Sequence, residues 1–177
     1  MKEIDIAQKA KEFATLKHQG QKRKNGDPYI SHPIMVAKLL NDYKVSHNIE
    51  MLTAAAYLHD TLEDTDATHY ELVDNFGCEI ASMVMELTTN EDMKKAIGKE
   101  KYLAYKLKHM TKWALVIKLC DRLANVSDLQ DANQEFRERY IKETNYIIEY
   151  ISENRELTQT HKNIIAEINN TIAKIKR

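Results

Sequence analysis

Chain-breaking residues are scarce in this sequence: its 177 residues include four glycines and two prolines. Helix formers (Ala, Leu, Lys, Glu, Met and Gln) are plentiful. That balance predicts an all-α fold, a helical bundle with few tight turns. The length fits one domain that can bury a proper core, and no repeat, linker or low-complexity tract divides it. Residues 1–177 are therefore expected to form a single domain.

Apolar residues make up 43% and charged residues 30%, which excludes a disordered chain. The net charge of −1 excludes electrostatic binding of nucleic acid by the molecule as a whole. Seven lysines occur in residues 93–112, but Asp92 and Glu100 interleave them, as on a solvated helix face. No nucleic-acid partner is expected. Cys78 and Cys120 stand alone in apolar surroundings, as two buried thiols of a reducing compartment would. The N-terminal string MKEIDIAQKAKEF is charged and lacks a signal's apolar region. No apolar run approaches the roughly 20 residues that span a bilayer. The expectation is a cytoplasmic protein with no membrane partner.

Residues 3–18 carry apolar positions Ile6, Ala10, Phe13, Ala14 and Leu16 close to a helical period, which predicts a helix there. Residues 19–31 read as a loop around Asn25-Gly26-Asp27-Pro28. Pro33 suits the first turn of the next helix, whose buried face is marked by Met35, Val36, Leu39 and Leu40. A third helix is predicted from about Asn48 to Asp64. Thr68-x-x-Glu71 reads as a capping box opening a short helix that ends at Gly77, with another over 78–87. Helices are further predicted over 91–110 and 112–128. Two longer amphipathic ones cover 133–176, broken near Ser152–Arg155. They either complete the core or help form a homodimer.

Chemistry is concentrated in three places. The first is His59-Asp60-Thr61-Leu62-Glu63-Asp64, directly after the apolar run Ala54-Ala55-Ala56-Tyr57-Leu58. Helix geometry sets His59 beside Glu63 and Asp60 beside Asp64. Ionisable groups at the inner end of a buried helix need neutralising, and a divalent cation does so. Imidazole and carboxylate ligands suit Mn²⁺, Fe²⁺ or Zn²⁺. The second is the stripe Lys118, Asp121, Arg122 and Asn125, spaced i, i+3, i+4, i+7 on an otherwise apolar helix. The pattern leaves two readings, a narrow face meeting water or a polar row facing an internal cavity. The third is the basic run Lys22-Arg23-Lys24 near His32-Pro33. Together they would make an anion-binding mouth beside a metal ligand.

Four strings carry a resemblance: His18-x-Gly20-Gln21-x-Arg23-Lys24, Pro28-Tyr29-Ile30-x-His32-Pro33, His59-Asp60-Thr61-x-Glu63-Asp64-Thr65 and Lys118-Leu119-x-Asp121-Arg122-Leu123-x-Asn125. In this order they resemble the hydrolase domain of RelA/SpoT-type alarmone enzymes, above all the stand-alone small alarmone hydrolases. The resemblance implies an all-α HD fold with a buried metal site. It implies Mn²⁺ held by His32, His59, Asp60 and Asp121, with Glu63 and Asp64 as the acid/base pair. It implies Arg23, Lys24 and Asn125 as nucleotide contacts, with Lys95 and Tyr140 where short members place substrate-contacting residues. The implied reaction removes the 3′-pyrophosphate of (p)ppGpp. The synthetase and regulatory domains of the long enzymes do not fit in this length, so degradation alone is expected. Ser127 and Asp128 depart from the long enzymes, which carry Arg and Thr there. Other phosphorylated nucleotides, such as (p)ppApp or NADPH, are the alternative substrates. A non-catalytic alarmone-binding module is the alternative class.

Overall fold

A computed structural model describes residues 5–175, which form two compact units dividing after Thr88. The regular structure of the described residues is helical, with an isolated bridge between Lys22 and Pro28. The all-α expectation holds.

The first unit is built around α3 (Ile49–Leu58), flanked by α1 (Ile6–Lys17) and α2 (Ser31–Tyr43). Small side chains allow the close approach: Ala7, Ala10 and Ala14 of α1 and Ala54, Ala55 and Ala56 of α3 are all buried. Asp5 caps α1 by accepting from the Ala7 amide at 2.9 Å. The expected start of this helix at residue 3 lies outside the described residues. Pro33 occupies the first turn of α2, whose inner face is Val36, Ala37 and Leu40. Leu16 and Met35 are not part of the core: they point to solvent from the outer faces of α1 and α2, 67% and 46% exposed.

The expected helix 48–64 is interrupted. It ends at Leu58, and a single turn, α4 (Thr61–Asp64), follows His59 and Asp60. The capping box is present: Thr68 Oγ1 accepts from the Glu71 amide at 3.2 Å, and Glu71 returns a carboxylate oxygen to the Thr68 amide at 2.8 Å. It opens α5 (His69–Leu87), in which the two expected helices meet at a kink. Gly77 makes that kink with φ 81° and ψ 167°. Cys78, the next residue, is exposed rather than buried.

In the second unit, Gly98 (φ 84°) divides the expected helix 91–110 into α6 (Glu91–Ile97) and α7 (Lys99–His109). Then come α8 (Lys112–Ser127), α9 (Gln134–Asn154) and α10 (Gln159–Ile175). The final expected residue of α10, 176, lies outside the described residues. Helix α8 packs on α10, and α7 on α9. Ile141, Ile147, Ile151, Ile164 and Ile168 are buried, so the C-terminal helices complete this unit's core. The chain leaves α9 at Arg155, whose Nη1 donates to the carbonyls of Leu107, Lys108 and Met110 and so caps the end of α7. No described helix is long and apolar enough to cross a membrane.

A Cβ at position 77 would meet no atom within 4 Å, so only the backbone conformation opposes a side chain there. Gly77→Ala should therefore destabilise the protein by about 1–3 kcal/mol, measured as a lower urea midpoint with unchanged slope. An unchanged midpoint would show that the kink relaxes freely.

Candidate metal centre

The break between α3 and α4 carries the predicted site residues His59, Asp60, Glu63 and Asp64. The apolar stretch of α3 delivers His59 into the interior, with 1% of its surface exposed. Its Nδ1–H donates to the Ala56 carbonyl at 2.8 Å. That contact settles which nitrogen faces the neighbouring carboxylate: Nε2 lies 3.0 Å from Oδ2 of Asp60. A backbone carbonyl behind one ring nitrogen is the usual support for a metal-binding imidazole.

His32 enters from the first turn of α2 and is also buried. Its Nε2 lies 3.8 Å from the same Oδ2, and the two imidazole rings are 5.2 Å apart. Two buried imidazoles thus converge on one carboxylate oxygen. This donor set, with no thiolate among it, suits a divalent first-row cation. His32 and His59 are buried and of types that hold such an ion, and so is Asp121 in the second unit.

The loop between α1 and α2 is tied to this point. Tyr29 projects its hydroxyl to Asp60 Oδ2 at 2.7 Å and Asp64 Oδ2 at 3.1 Å. Gln21 Nε2 donates to the Asp64 carbonyl at 2.7 Å, while its Oε1 accepts from His18 Nδ1–H at 2.8 Å. The His18 ring stacks on Tyr29 with centroids 4.7 Å apart. Burial, reinforced by the Asp60 charge, pushes the Tyr29 phenol far above its ordinary range, so it remains a donor. Burial and the Asp60 charge also raise the Asp64 carboxyl. Asp60 and Asp64 therefore lie to one side of the turn, as their spacing predicts, and Glu63 is exposed.

Arg23 and Lys24 ride on the same loop, which closes on itself through Arg23 N to Asp27 O at 2.8 Å and Tyr29 N to Gln21 O at 3.0 Å. Arg23 is half-buried and Lys24 exposed.

In the second unit the predicted stripe divides. Lys118 Nζ meets Asp121 Oδ2 at 2.8 Å, and Asn125 Nδ2 donates to Asp121 Oδ1 at 2.7 Å. Arg122 leaves that row. Its guanidinium is buried against α9, donating to Glu143 Oε1 at 3.2 Å and Thr144 Oγ1 at 2.9 Å. Lys99 pairs with the other Glu143 oxygen at 2.9 Å. Tyr140, expected at the substrate, is half-buried with its ring centre 5.0 Å from the Arg122 guanidinium carbon and 5.9 Å from Lys99 Nζ. Lys95 is exposed on α6, a helix with no buried residue.

Sequence reasoning gave Tyr29 no role, although it stands inside one of the quoted strings. A phenol 31 residues from Asp60 leaves no trace in local periodicity. The signal was a bulky aromatic residue directly after the turn string Asn25-Gly26-Asp27-Pro28.

Comparison with known proteins decides the family. The family model described as HD domain matches residues 10–156. A guanosine-3′,5′-bis(diphosphate) 3′-pyrophosphohydrolase of Danio rerio is 38% identical over 125 residues, 70% of this chain and 68% of that protein. The chain belongs to the HD-domain family. A second relative, a guanosine-3′,5′-bis(diphosphate) 3′-pyrophosphohydrolase from Aquifex aeolicus, is 40% identical over 146 residues, 77% of this chain and 20% of the relative. A Brucella melitensis GTP pyrophosphokinase is 39% identical over 145 residues, 78% of this chain and 19% of the relative. The chain thus spans about a fifth of the length of these two bacterial relatives. The HD fold is also seen in a solved metazoan SpoT ortholog that hydrolyses ppGpp. That structure matches with a TM-score of 0.82 at 24% identity, over 98% of this chain and 97% of the other. A Listeria monocytogenes structure matches with a TM-score of 0.62 at 18% identity, over 83% of this chain and 99% of the other.

A divalent cation supplied at 100 times its dissociation constant should add about 2.7 kcal/mol of stability, read as a higher Tm for the metal-stripped protein. His59→Ala should remove that gain. No gain with Mn²⁺, Fe²⁺, Co²⁺ or Zn²⁺ would overturn the metal centre.

Proposed function

We propose that this HD protein is a Mn²⁺-dependent (p)ppGpp 3′-pyrophosphohydrolase of the cytoplasm, acting as a single functional domain over residues 1–177. The observation that carries the reading is the convergence of buried His32 and His59 on Asp60, beside the acidic turn that holds Glu63 and Asp64. The names of the relatives from Danio rerio and Aquifex aeolicus supply the substrate.

In this reading His32, His59, Asp60 and Asp121 hold Mn²⁺. The HD match runs through all four residues. When bound, the ion supplies Lewis-acid activation of water and of the phosphoryl group. The protein's own groups do the remainder. His59 is held in the required tautomer by the Ala56 carbonyl. Glu63 and Asp64 form the acid/base pair: one accepts a proton from the attacking water, and the other donates one to the leaving 3′-oxygen. Water adds to phosphorus, the bond to the 3′-oxygen breaks, and pyrophosphate leaves GDP or GTP behind.

Arg23 and Lys24 offset the charge of the phosphates from the loop pinned by Tyr29 and Gln21. Asn125, Lys95 and Tyr140 add nucleotide contacts. Lys118 pairs with Asp121 at 2.8 Å and balances its charge. The partner of the protein is a small nucleotide; a homodimer of the chain would show in light scattering.

Purified protein with Mn²⁺ should convert ppGpp to GDP and pyrophosphate, resolved by anion-exchange chromatography. Asp60→Ala and Asp121→Ala should each lower turnover by at least about 10³-fold, while circular dichroism remains helical. Full activity in either variant would sink the ligand assignment. Turnover of (p)ppApp or NADPH in preference to ppGpp would move the substrate. Tight ppGpp binding without turnover would make the protein a binding module.

A further inference from the structure

We propose that Tyr29 is a positioning residue for the reaction, a phenol that sets the spacing between the metal-side carboxylate Asp60 and the acid/base carboxylate Asp64. The inference rests on the proposed roles of those two aspartates.

Its hydroxyl lies 2.7 Å from Asp60 Oδ2 and 3.1 Å from Asp64 Oδ2. One phenol carries one proton, so it satisfies one carboxylate at a time and stands between two like charges that would otherwise spread apart. The Asp60 oxygen it holds is the oxygen that faces His59 Nε2 at 3.0 Å and His32 Nε2 at 3.8 Å. Taking up one lone pair of Oδ2 fixes how the carboxylate presents itself to the imidazoles.

The ring is itself immobilised. It stacks on buried His18, and the edge contact with His32 places the centroids 6.1 Å apart. Its backbone amide donates to Gln21 O and its carbonyl accepts from the His32 amide, each at 3.0 Å. Pro28, immediately before it, restricts the chain and pairs with Lys22. The loop that carries Arg23 and Lys24 therefore cannot shift without moving the hydroxyl between the two aspartates. Tyr29 acts on the chemistry through Asp60 and Asp64.

Tyr29→Phe keeps the ring and its stacking and removes only the hydroxyl. Mn²⁺ affinity of the metal-stripped protein, measured by titration calorimetry, should fall about 10–100-fold. With ppGpp, kcat should fall by a similar factor, while KM stays within about twofold and the Tm of the metal-stripped variant within a few degrees. Wild-type Mn²⁺ affinity in Tyr29→Phe would overturn the inference, as would a loss appearing in KM alone. The affinity arm needs no turnover. If the wild-type protein bound Mn²⁺ without hydrolysing ppGpp, the hydrolase reading would fail, and weaker binding by Tyr29→Phe would still uphold the positioning of Asp60. If the wild-type protein bound no Mn²⁺, both would fall.

Discussion

The first unit depends on how it accommodates charge at the inner end of its most apolar helix. Helix α3 is almost featureless hydrocarbon and alanine until His59 and Asp60. An isolated ionised group taken that far from water costs several kcal/mol even after relaxation. The chain meets this cost by convergence on Asp60 Oδ2, which gathers the Tyr29 hydroxyl and the Nε2 atoms of His59 and His32. Each comes from a different place: the loop after α1, the end of α3, and the first turn of α2. The small-residue contact between α1 and α3 and the Pro33 turn of α2 are therefore more than packing. They set the entry points of the groups that surround one oxygen.

The second unit solves a related problem with its own charges. Helix α8 has eleven buried residues, including Asp121 and Arg122. These neighbours part company. Asp121 is balanced within its own helix by Lys118 and Asn125, one turn away on either side. Arg122 is balanced across helices by Glu143, which Lys99 also holds. Losing one member of such a buried pair costs about 3–5 kcal/mol, so Arg122 and Glu143 tie α8 to α9. The separation keeps the Asp121 carboxylate apart from the Arg122–Glu143 pair.

Much of this was legible in the sequence because it is local. The capping box at Thr68 and Glu71, Pro33 in a first turn, and the break at Arg155 each involve residues within one or two turns of each other. The interruptions at His59-Asp60 and at Gly98 were not legible. Helical spacing continues in phase across both, and a single residue leaving helical geometry does not disturb a periodic count. Leu16, Met35 and Cys78 show the other limit: an apolar side chain on the outer side of a helix looks the same in sequence as one on the inner side. In the site, His59 and Asp60 could be singled out from the apolar run before them. His32 came almost wholly from the family strings. Tyr29 and Gln21 act through contacts 31 to 43 residues away, which only the fold supplies.

The combination of an acidic turn with a basic loop argues for chemistry rather than simple binding. Asp60, Glu63 and Asp64 place three carboxylates within five residues, and a pyrophosphate brought to them alone would meet like charge. Arg23 and Lys24 offset part of this, but they lie on the loop rather than among the carboxylates. On the proposed reading, a divalent cation at the histidines would offset the negative charge where the phosphates must approach. On the hydrolase reading, metal and nucleotide are then thermodynamically linked: each raises the affinity for the other by the same factor. A module evolved only to hold an alarmone gains nothing from carboxylates that repel its ligand in the absence of metal. On the hydrolase reading they are needed, because Glu63 and Asp64, which disfavour the bare pyrophosphate, are the groups proposed to exchange protons with water and with the leaving oxygen.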